Sequence, residues 1–166
     1  MIKIQPYTPF YTQPIIDLIL TIQQQEFGLP ITLNAQPDLL KIAEFYQAKK
    51  GNFWIAVESD RVIGTIALID IDNHQGVLRK MFVHPHYRGK ALGVGQTLLE
   101  TLLNWAIEHS IYEIYLGTVE VFKAAHRFYE KNGFVQIPPE ELPSTFALMP
   151  GDTRFYRHRG EILENC

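Results

Sequence analysis

The sequence is organised around residues 81–95, which read MFVHPHYRGKALGVG. Its first three residues are apolar and end a strand, and the proline and glycines after them are typical of a short loop. A helix is predicted to follow from about Ala91. The start of a helix carries free backbone N–H groups and a positive dipole end, to which Arg88 and Lys90 add two cations. This stretch therefore predicts a site for the phosphates of a nucleotide-bearing cofactor.

The residues before this stretch predict an antiparallel meander preceded by two helices. Short turns at Ser59-Asp60 and His74-Gln75-Gly76 separate three apolar runs, as in consecutive hairpins. The predicted elements are a strand over Ile2–Tyr7, helices over Gln13–Phe27 and from Pro37 to Lys50, and strands over Phe53–Val57, Arg61–Asp70 and Val77–Val83.

The residues after it predict one parallel strand pair. A helix over residues 91–110 leads to the next strand, and a helical crossover between strands of one sheet normally makes them parallel. The pattern indicates an α+β fold, in which helices flank a mixed, mainly antiparallel sheet. The remaining predicted elements are a strand over Tyr112–Gly117, a helix over Lys123–Asn132, and strands over Phe134–Ile137 and Thr153–His158.

Composition limits the class of protein. A chain of 166 residues with 46% hydrophobic residues fits one domain over residues 1–166. The net charge of -3 argues against a nucleic-acid partner. Cys166 is the single cysteine, so no disulfide forms within the chain. The N-terminal residues lack the apolar region of a signal peptide, and no apolar run reaches transmembrane length. We therefore expect a cytoplasmic protein without membrane contact.

Two common phosphate-binding motifs do not fit the stretch. A Walker loop ends in Gly-Lys-Ser/Thr, whereas Gly89-Lys90 is followed by Ala91. A dinucleotide fingerprint requires G-x-G-x-x-G after the first strand of a βαβ unit, and Gly93-Val94-Gly95 lacks the third glycine. The cofactor is therefore of another kind.

The stretch resembles the GCN5-related N-acetyltransferase (GNAT) family, whose motif is Arg/Gln-x-x-Gly-x-Gly/Ala. That motif stands here as RGKALG, residues 88–93. Downstream, AAHRFYEKNGF at residues 124–134 is similar to the helix and strand with which the family's A-x-x-x-Y-x-x-x-G-F pattern closes. The order of elements agrees over about residues 52–137. Together the two motifs are far more specific than either alone.

This resemblance implies acetyl-CoA as cosubstrate, no metal, and an amine acceptor that is either a small molecule or a protein amine. It implies that the loop amides bind the pyrophosphate, that the edge of the preceding strand pairs with the pantetheine arm, and that the Val83 N–H polarises the thioester carbonyl. It also implies that the parallel strand pair splays apart at the cofactor site to admit this arm. The implied cofactor-binding residues are Met81, Phe82, Val83, Arg88, Gly89, Lys90, Ala91, Leu92, Gly93, Val94, Ala125 and Phe128.

The resemblance also assigns a catalytic acid. Tyr129 matches the tyrosine that protonates the departing thiolate. Glu120, just after the Tyr112–Gly117 strand, is the preferred general base, and Asp70 and Asp72 remain alternatives. Two departures from the family pattern concern the cofactor site: Ala91 replaces the first motif glycine, and Phe122 stands where the family often has asparagine.

A second function is compatible with the same fold. A non-catalytic acyl-CoA sensor or interaction module would keep the phosphate site and lack turnover. Tyr129 favours the enzyme. The sequence does not identify the acceptor, and it leaves a homodimer open.

Overall fold

A seven-stranded sheet runs through the computed structural model, which describes residues 1–160. The strands are β1 (Lys3–Pro6), β2 (Asn52–Glu58), β3 (Arg61–Asp70), β4 (Gln75–Val83), β5 (Glu113–Thr118), β6 (Val135–Ile137) and β7 (Arg154–Arg159). They lie in the order β1-β2-β3-β4-β5-β7-β6, and each neighbouring pair is antiparallel except β4 and β5. The predicted α+β fold with one parallel pair is confirmed. Cys166 lies outside the described residues.

Helices cover both faces of the sheet. The α-helices of the described residues are α1 (Thr12–Leu20), α2 (Ile42–Tyr46), α3 (Val94–Glu108) and α4 (Lys123–Lys131). Helices α3 and α4 share an apolar cluster with one face, in which Leu98 packs with Ile66 and Tyr129. On the other face α1 and α2 build a second cluster, which contains Ile19 and Phe53.

The two N-terminal helices differ from their predicted form. The helix predicted over Gln13–Phe27 is α-helical only to Leu20 and continues as a π-helix over Thr21–Glu26. The second predicted helix is split into a 3₁₀ turn, Pro37–Leu40, and the short α2, because the backbone of Lys41, with φ −141 and ψ 48, is not helical. The apolar residues keep helical spacing in both segments, but this spacing does not show which hydrogen-bond pattern the backbone adopts.

Helix α3 starts three residues later than predicted, at Val94 rather than Ala91. Gly93 precedes it with φ 63, a left-handed conformation that a glycine adopts without steric cost. Gly64 on β3 allows α3 to lie close to the sheet, because a Cβ at that position would be 3.0 Å from a methyl carbon of Leu98. The start of α3 is thereby fixed beside β4.

No helix within residues 1–160 is both long and apolar enough to cross a membrane.

Candidate active site

Strands β4 and β5 pair for three residues and then separate. Their ladder joins Gln75–Val77 to Glu113–Tyr115, and no further pair between these strands follows in the described chain. On its other edge, β4 stays paired with β3 as far as Val83. The splayed pair that the resemblance implied is therefore present, and the β4 edge towards β5 offers unpaired backbone groups to a ligand.

One of these groups is the N–H of Val83. The next amide, that of His84, donates to the Ile63 carbonyl on β3 at 2.8 Å. Successive amides of a strand point to opposite edges, so the Val83 N–H points into the gap between β4 and β5. Of the neighbouring side chains, those of Met81 and Val83 pack towards α3, whereas that of Phe82 packs towards α1.

A β-bulge at Lys80 interrupts β4 just past the point where the gap opens. The register of β3 and β4 shifts there, and Lys80 has φ 55, a conformation that non-glycine residues rarely adopt. The Thr65 hydroxyl holds the bulge by donating to the Lys80 carbonyl at 2.6 Å. As a consequence both Arg79 and Lys80 turn to the face of α2, where Arg79 lies 5.7 Å from the centre of the Phe45 ring.

The Lys80 side chain belongs to a buried polar network. Its ammonium lies 3.6 Å from the carboxylate of Asp38 and also donates to the Gln36 side chain. The Tyr46 hydroxyl donates to the same carboxylate at 2.6 Å. Burial lowers the pKa of Lys80 to about 8, although the charge of Asp38 opposes the shift. The network anchors the segment between α1 and α2 against β4.

The loop between β4 and α3 collects free amides. The N–H groups of Gly89, Lys90, Ala91 and Leu92 donate to no backbone carbonyl of the described residues, and the first turn of α3 adds amides without helical acceptors. Gly93 closes the loop through its N–H, which lies 3.3 Å from the carbonyl of Gly89. Ala91 lies within this loop, not at the helix start. The Val94 side chain is buried, so only its amide can face a ligand.

Two lysines meet beside this loop. The proximity of the Lys90 ammonium, and the repulsion between the two like charges, lower the pKa of Lys131 on α4. Neither ammonium has a carboxylate partner in the part of the chain described. Like charges are brought together at a cost unless an anion joins them. Lys131 was not among the predicted residues, because its neighbour lies about 40 positions away and only the packing of α4 beside the loop unites them.

The Arg88 side chain is already occupied. Its guanidinium binds both carboxylate oxygens of Glu26, one of them at 2.7 Å, and its Nε donates to the Val83 carbonyl at 2.8 Å. Arg88 therefore ties the end of the π-helix to the edge of β4. Its amide also has a partner, the Pro85 carbonyl at 3.5 Å, so the free donors of the loop begin at Gly89.

Tyr129 lies in the core between α4 and the sheet, and only 5% of it is exposed. Its ring packs against those of Phe134 and Tyr156, with centroids 5.4 and 6.1 Å away. Burial raises the pKa of its phenol well above the ordinary value. The hydroxyl makes no hydrogen bond within residues 1–160. Ala125 and Phe128, on the same helix, pack at the border of this cluster towards the start of α3.

Glu120, the predicted general base, lies on the loop before α4. Its carboxylate binds Lys123 at 2.8 Å and lies 3.6 Å from Arg154. The hydrogen bond from Lys123, followed by the charges of Lys123 and Arg154, lowers the pKa of Glu120. Such pairing weakens a carboxylate as a base. Phe122, two residues on, packs edge-to-face on Phe27 with ring centroids 4.8 Å apart.

Asp152, which no sequence motif marked, lies over β5 where the gap opens. A Cβ on Gly117 would collide with its Oδ2, so the carboxylate fills the space that the glycine leaves. Burial raises the pKa of Asp152 to about 6, against the lowering effect of Arg79 and Lys80. A carboxylate after the turn-forming Pro150-Gly151 is common in surface loops. The local pattern therefore does not predict that this segment folds back over the gap.

Within residues 1–160 no group of three or more His, Cys, Asp or Glu side chains is arranged to hold a metal ion.

A mixed sheet that opens at one parallel pair beside a loop of free amides is the arrangement that the resemblance to the GNAT family implied. The sequence profile of the Acetyltransferase (GNAT) family matches residues 17–134, more than half of the chain. The chain therefore belongs to the GNAT acetyltransferase family.

Individual relatives agree with this assignment. A GNAT-family acetyltransferase from Staphylococcus aureus Mu50 is 39% identical, with a TM-score of 0.93 over 97% of this chain and 100% of that one. The N-acetylaspartate synthetase of Danio rerio is 33% identical over 119 residues, which are 70% of this chain but 40% of that protein. The chain thus spans about two fifths of the length of this curated relative. An N-acetyltransferase from Thermoplasma acidophilum in complex with coenzyme A shares the fold at 17% identity, with a TM-score of 0.73 over 96% of this chain and 99% of that one.

Proposed function

We propose that the protein transfers the acetyl group of acetyl-CoA to a primary amine by direct attack in a ternary complex. The observation that carries this proposal is the position of the free-amide loop and its lysine pair, Lys90 and Lys131, beside the gap between β4 and β5. The loop would hold the phosphates of the cosubstrate, and the gap would admit its thioester end.

Each part of acetyl-CoA has a complementary group. The amides from Gly89 to Leu92 and the start of α3 suit the pyrophosphate, because they combine donors with the positive helix dipole. Lys90 and Lys131 suit a further phosphate. The free edge of β4 at Met81–Val83 suits the amide groups of the pantetheine arm, as an added strand would. The Val83 N–H then points at the thioester carbonyl, where it would stabilise the developing oxyanion.

The chemistry requires a neutral amine. Deprotonating an amine of pKa about 10.4 costs roughly 4.6 kcal/mol at pH 7, so a base close to the acceptor matters. The departing thiolate needs less help. Because burial raises the pKa of Tyr129, its phenol stays protonated and would stabilise the thiolate as a hydrogen-bond donor more readily than by complete proton transfer.

The acceptor is proposed from the relatives. Curated relatives at about 30% identity are named for acetylating aspartate, so L-aspartate is the first amine to test. Arg79 lies on β4 just past the end of the β4–β5 ladder and forms no ion pair within the described residues, which suits an acidic acceptor.

A test is to incubate the protein with acetyl-CoA and a panel of amines while thiol release is measured and products are identified by mass spectrometry. The panel contains L-aspartate, L-glutamate, glycine, spermidine and a lysine-containing peptide. We expect acceptor-dependent thiol release and an N-acetylated product. Binding of acetyl-CoA in a calorimeter without release of thiol for any amine would support the sensor instead.

A further inference from the structure

Two half-buried charged side chains at the gap lack partners. Arg79, on β4, stacks on Phe45 and forms no hydrogen bond or ion pair with another described residue. The carboxylate of Asp152 lies against Gly117 of β5 and likewise has no polar partner within residues 1–160. Removing charged groups from water is costly unless they are paired, so two such groups at one place indicate a missing binding partner.

The two groups lie at the same level on neighbouring strands. The β4–β5 ladder ends at Val77 and Tyr115, and two residues further on each strand stand Arg79 and Gly117, against which Asp152 lies. Of the neighbouring charges, that of Arg79 lowers the pKa of Asp152 most and that of Lys80 comes next. Neither side chain forms an ion pair with this carboxylate. Lys80 is already bound to Asp38 and Gln36. Gly117 of β5, and the Phe155 ring of β7 that lies against it beside Asp152, carry no charge. Arg79 is therefore the cation that remains available opposite this carboxylate.

A molecule that carries both an ammonium and a carboxylate would satisfy both groups. An α-amino acid has these two charges a few ångströms apart. Its ammonium would meet Asp152, and its carboxylate would receive the planar donors of Arg79, which suit bidentate binding of a carboxylate. Simple amines and polyamines supply only the first charge.

We propose that Arg79 and Asp152 form the acceptor subsite and that the acceptor is an amino acid. This inference rests on the proposed function. The Asp152 carboxylate takes one proton from the acceptor ammonium. The lone pair of the resulting amine forms the C–N bond with the acetyl carbon, and the C–S bond then breaks. As the C–S bond breaks, the nitrogen loses its second proton, and the departing thiolate of CoA takes up a proton to become the thiol.

The acid–base properties of Asp152 support this role. A pKa of about 6 leaves the carboxylate ionised at neutral pH and makes it a better base than an ordinary aspartate. Glu120 is tied to two cations and has a lowered pKa. Asp152 therefore replaces Glu120 as the group for the first proton transfer.

The carboxylate requirement is tested by steady-state kinetics with L-aspartate, L-glutamate and glycine, each compared with its α-carboxamide. We expect the wild type to prefer the free acids. Arg79→Gln should raise the KM for the acid about 10- to 100-fold, in line with loss of a charged hydrogen bond, and leave the KM for the carboxamide and for acetyl-CoA unchanged. Arg79→Lys should recover part of the loss. Arg159→Gln, which removes an exposed cation at the far end of the neighbouring strand pair, is the matched control.

The base is tested by Asp152→Asn. We expect kcat/KM for the acid to fall about 100-fold or more and the acidic limb of its pH profile, near pH 6 in the wild type, to disappear. A thermal melt shows whether the variant is folded, and its KM for acetyl-CoA should stay unchanged.

The outcomes separate the two proposals. A wild type that acetylates spermidine or the peptide better than any free amino acid would leave the proposed function intact and overturn the amino-acid subsite. An Asp152→Asn variant that keeps the wild-type pH profile would do the same. If no amine of either panel releases thiol, the proposed function fails and the subsite with it.

Discussion

At the scale of single residues, the site depends on side chains whose surroundings change their acidity. Tyr129 is buried without a partner for its hydroxyl among the described residues, and its pKa is raised. Asp152 is half-buried and its pKa is raised too. In both cases burial stabilises the protonated, neutral form. The two raised pKa values affect catalysis in opposite ways. They make the phenol a weaker acid and the carboxylate a stronger base.

For Tyr129→Phe we expect kcat to fall by roughly 10- to 100-fold, at the low end of acid catalysis, because the phenol acts mainly as a hydrogen-bond donor. The KM for acetyl-CoA should not change. The unfolding free energy should change by less than about 1 kcal/mol, because the lost hydroxyl has no internal partner. Unaltered turnover in this variant would rule out the role of the phenol.

Asp152 also makes a prediction about stability. Its folded pKa of about 6 exceeds its ordinary value of 3.8, so the folded state binds more protons between these pH values and the wild type loses stability as pH rises through this window. The loss should be about 1 kcal/mol after allowance for solvent screening of a partly exposed group. Urea unfolding of the wild type and Asp152→Asn at pH 4 and pH 7 measures it. The variant should lack this difference, and an equal pH dependence in both proteins would contradict the prediction.

At the scale of elements, the site is built from three irregularities in otherwise regular structure. The β4–β5 ladder stops after three pairs, β4 bulges at Lys80, and α3 begins behind a left-handed Gly93. Each leaves backbone groups without an internal partner or turns a side chain to a different face. A regular strand and helix of the same sequence length would offer neither the gap nor the free amides.

Gly93→Ala tests the helix start. A Cβ at φ 63 costs about 1–2 kcal/mol, so we expect this loss of stability and a higher KM for acetyl-CoA, because the loop amides would be displaced. Gly95→Ala is the control for stability. It lies in the first turn of α3, and its added Cβ would make an ordinary contact at 3.5 Å with Met81. Alanine should there stabilise the helix or leave it unchanged. Equal thermal melts for the two variants would contradict the role of the left-handed glycine.

At the scale of the whole molecule, the phosphate-binding loop is connected to both halves of the fold. The ion pair of Arg88 with Glu26 joins it to the end of the first helix, and Lys131 brings α4 to its other side. Acetyl-CoA bound at this loop would therefore contact elements from the start, middle and end of the domain. Binding to the folded state alone should stabilise all of them together.

Acetyl-CoA at 100 times its Kd should add about 2.7 kcal/mol of stability, which raises the Tm by about 5–10 °C for a chain of this size. Lys131→Gln should reduce this shift and make it less sensitive to salt, because one phosphate contact is lost. Lys3→Gln, at the opposite edge of the sheet, is the matched control and should behave as the wild type. Differential scanning fluorimetry at two salt concentrations measures both, and an identical shift in all three proteins would contradict the lysine-pair site.

The fold was largely predictable from the sequence because its signals are local. Short turns between apolar runs marked β2, β3 and β4, and the motif over residues 88–93 marked the loop between β4 and α3. Errors occurred where backbone geometry rather than polarity decides the outcome. The π-helix after Leu20, the break at Lys41 and the delayed start of α3 leave the apolar pattern unchanged, so the pattern could not reveal them.

The sequence by itself determined the family, the order of strands and helices, and the expected donor, since these depend on residues that are neighbours along the chain. Only the tertiary structure brought together Lys90 with Lys131 and placed Asp152 opposite Arg79. These pairs are separated by tens of residues, and each partner is an ordinary surface residue when considered alone. Their chemistry arises from proximity and partial burial, which only the packed sheet and its helices provide.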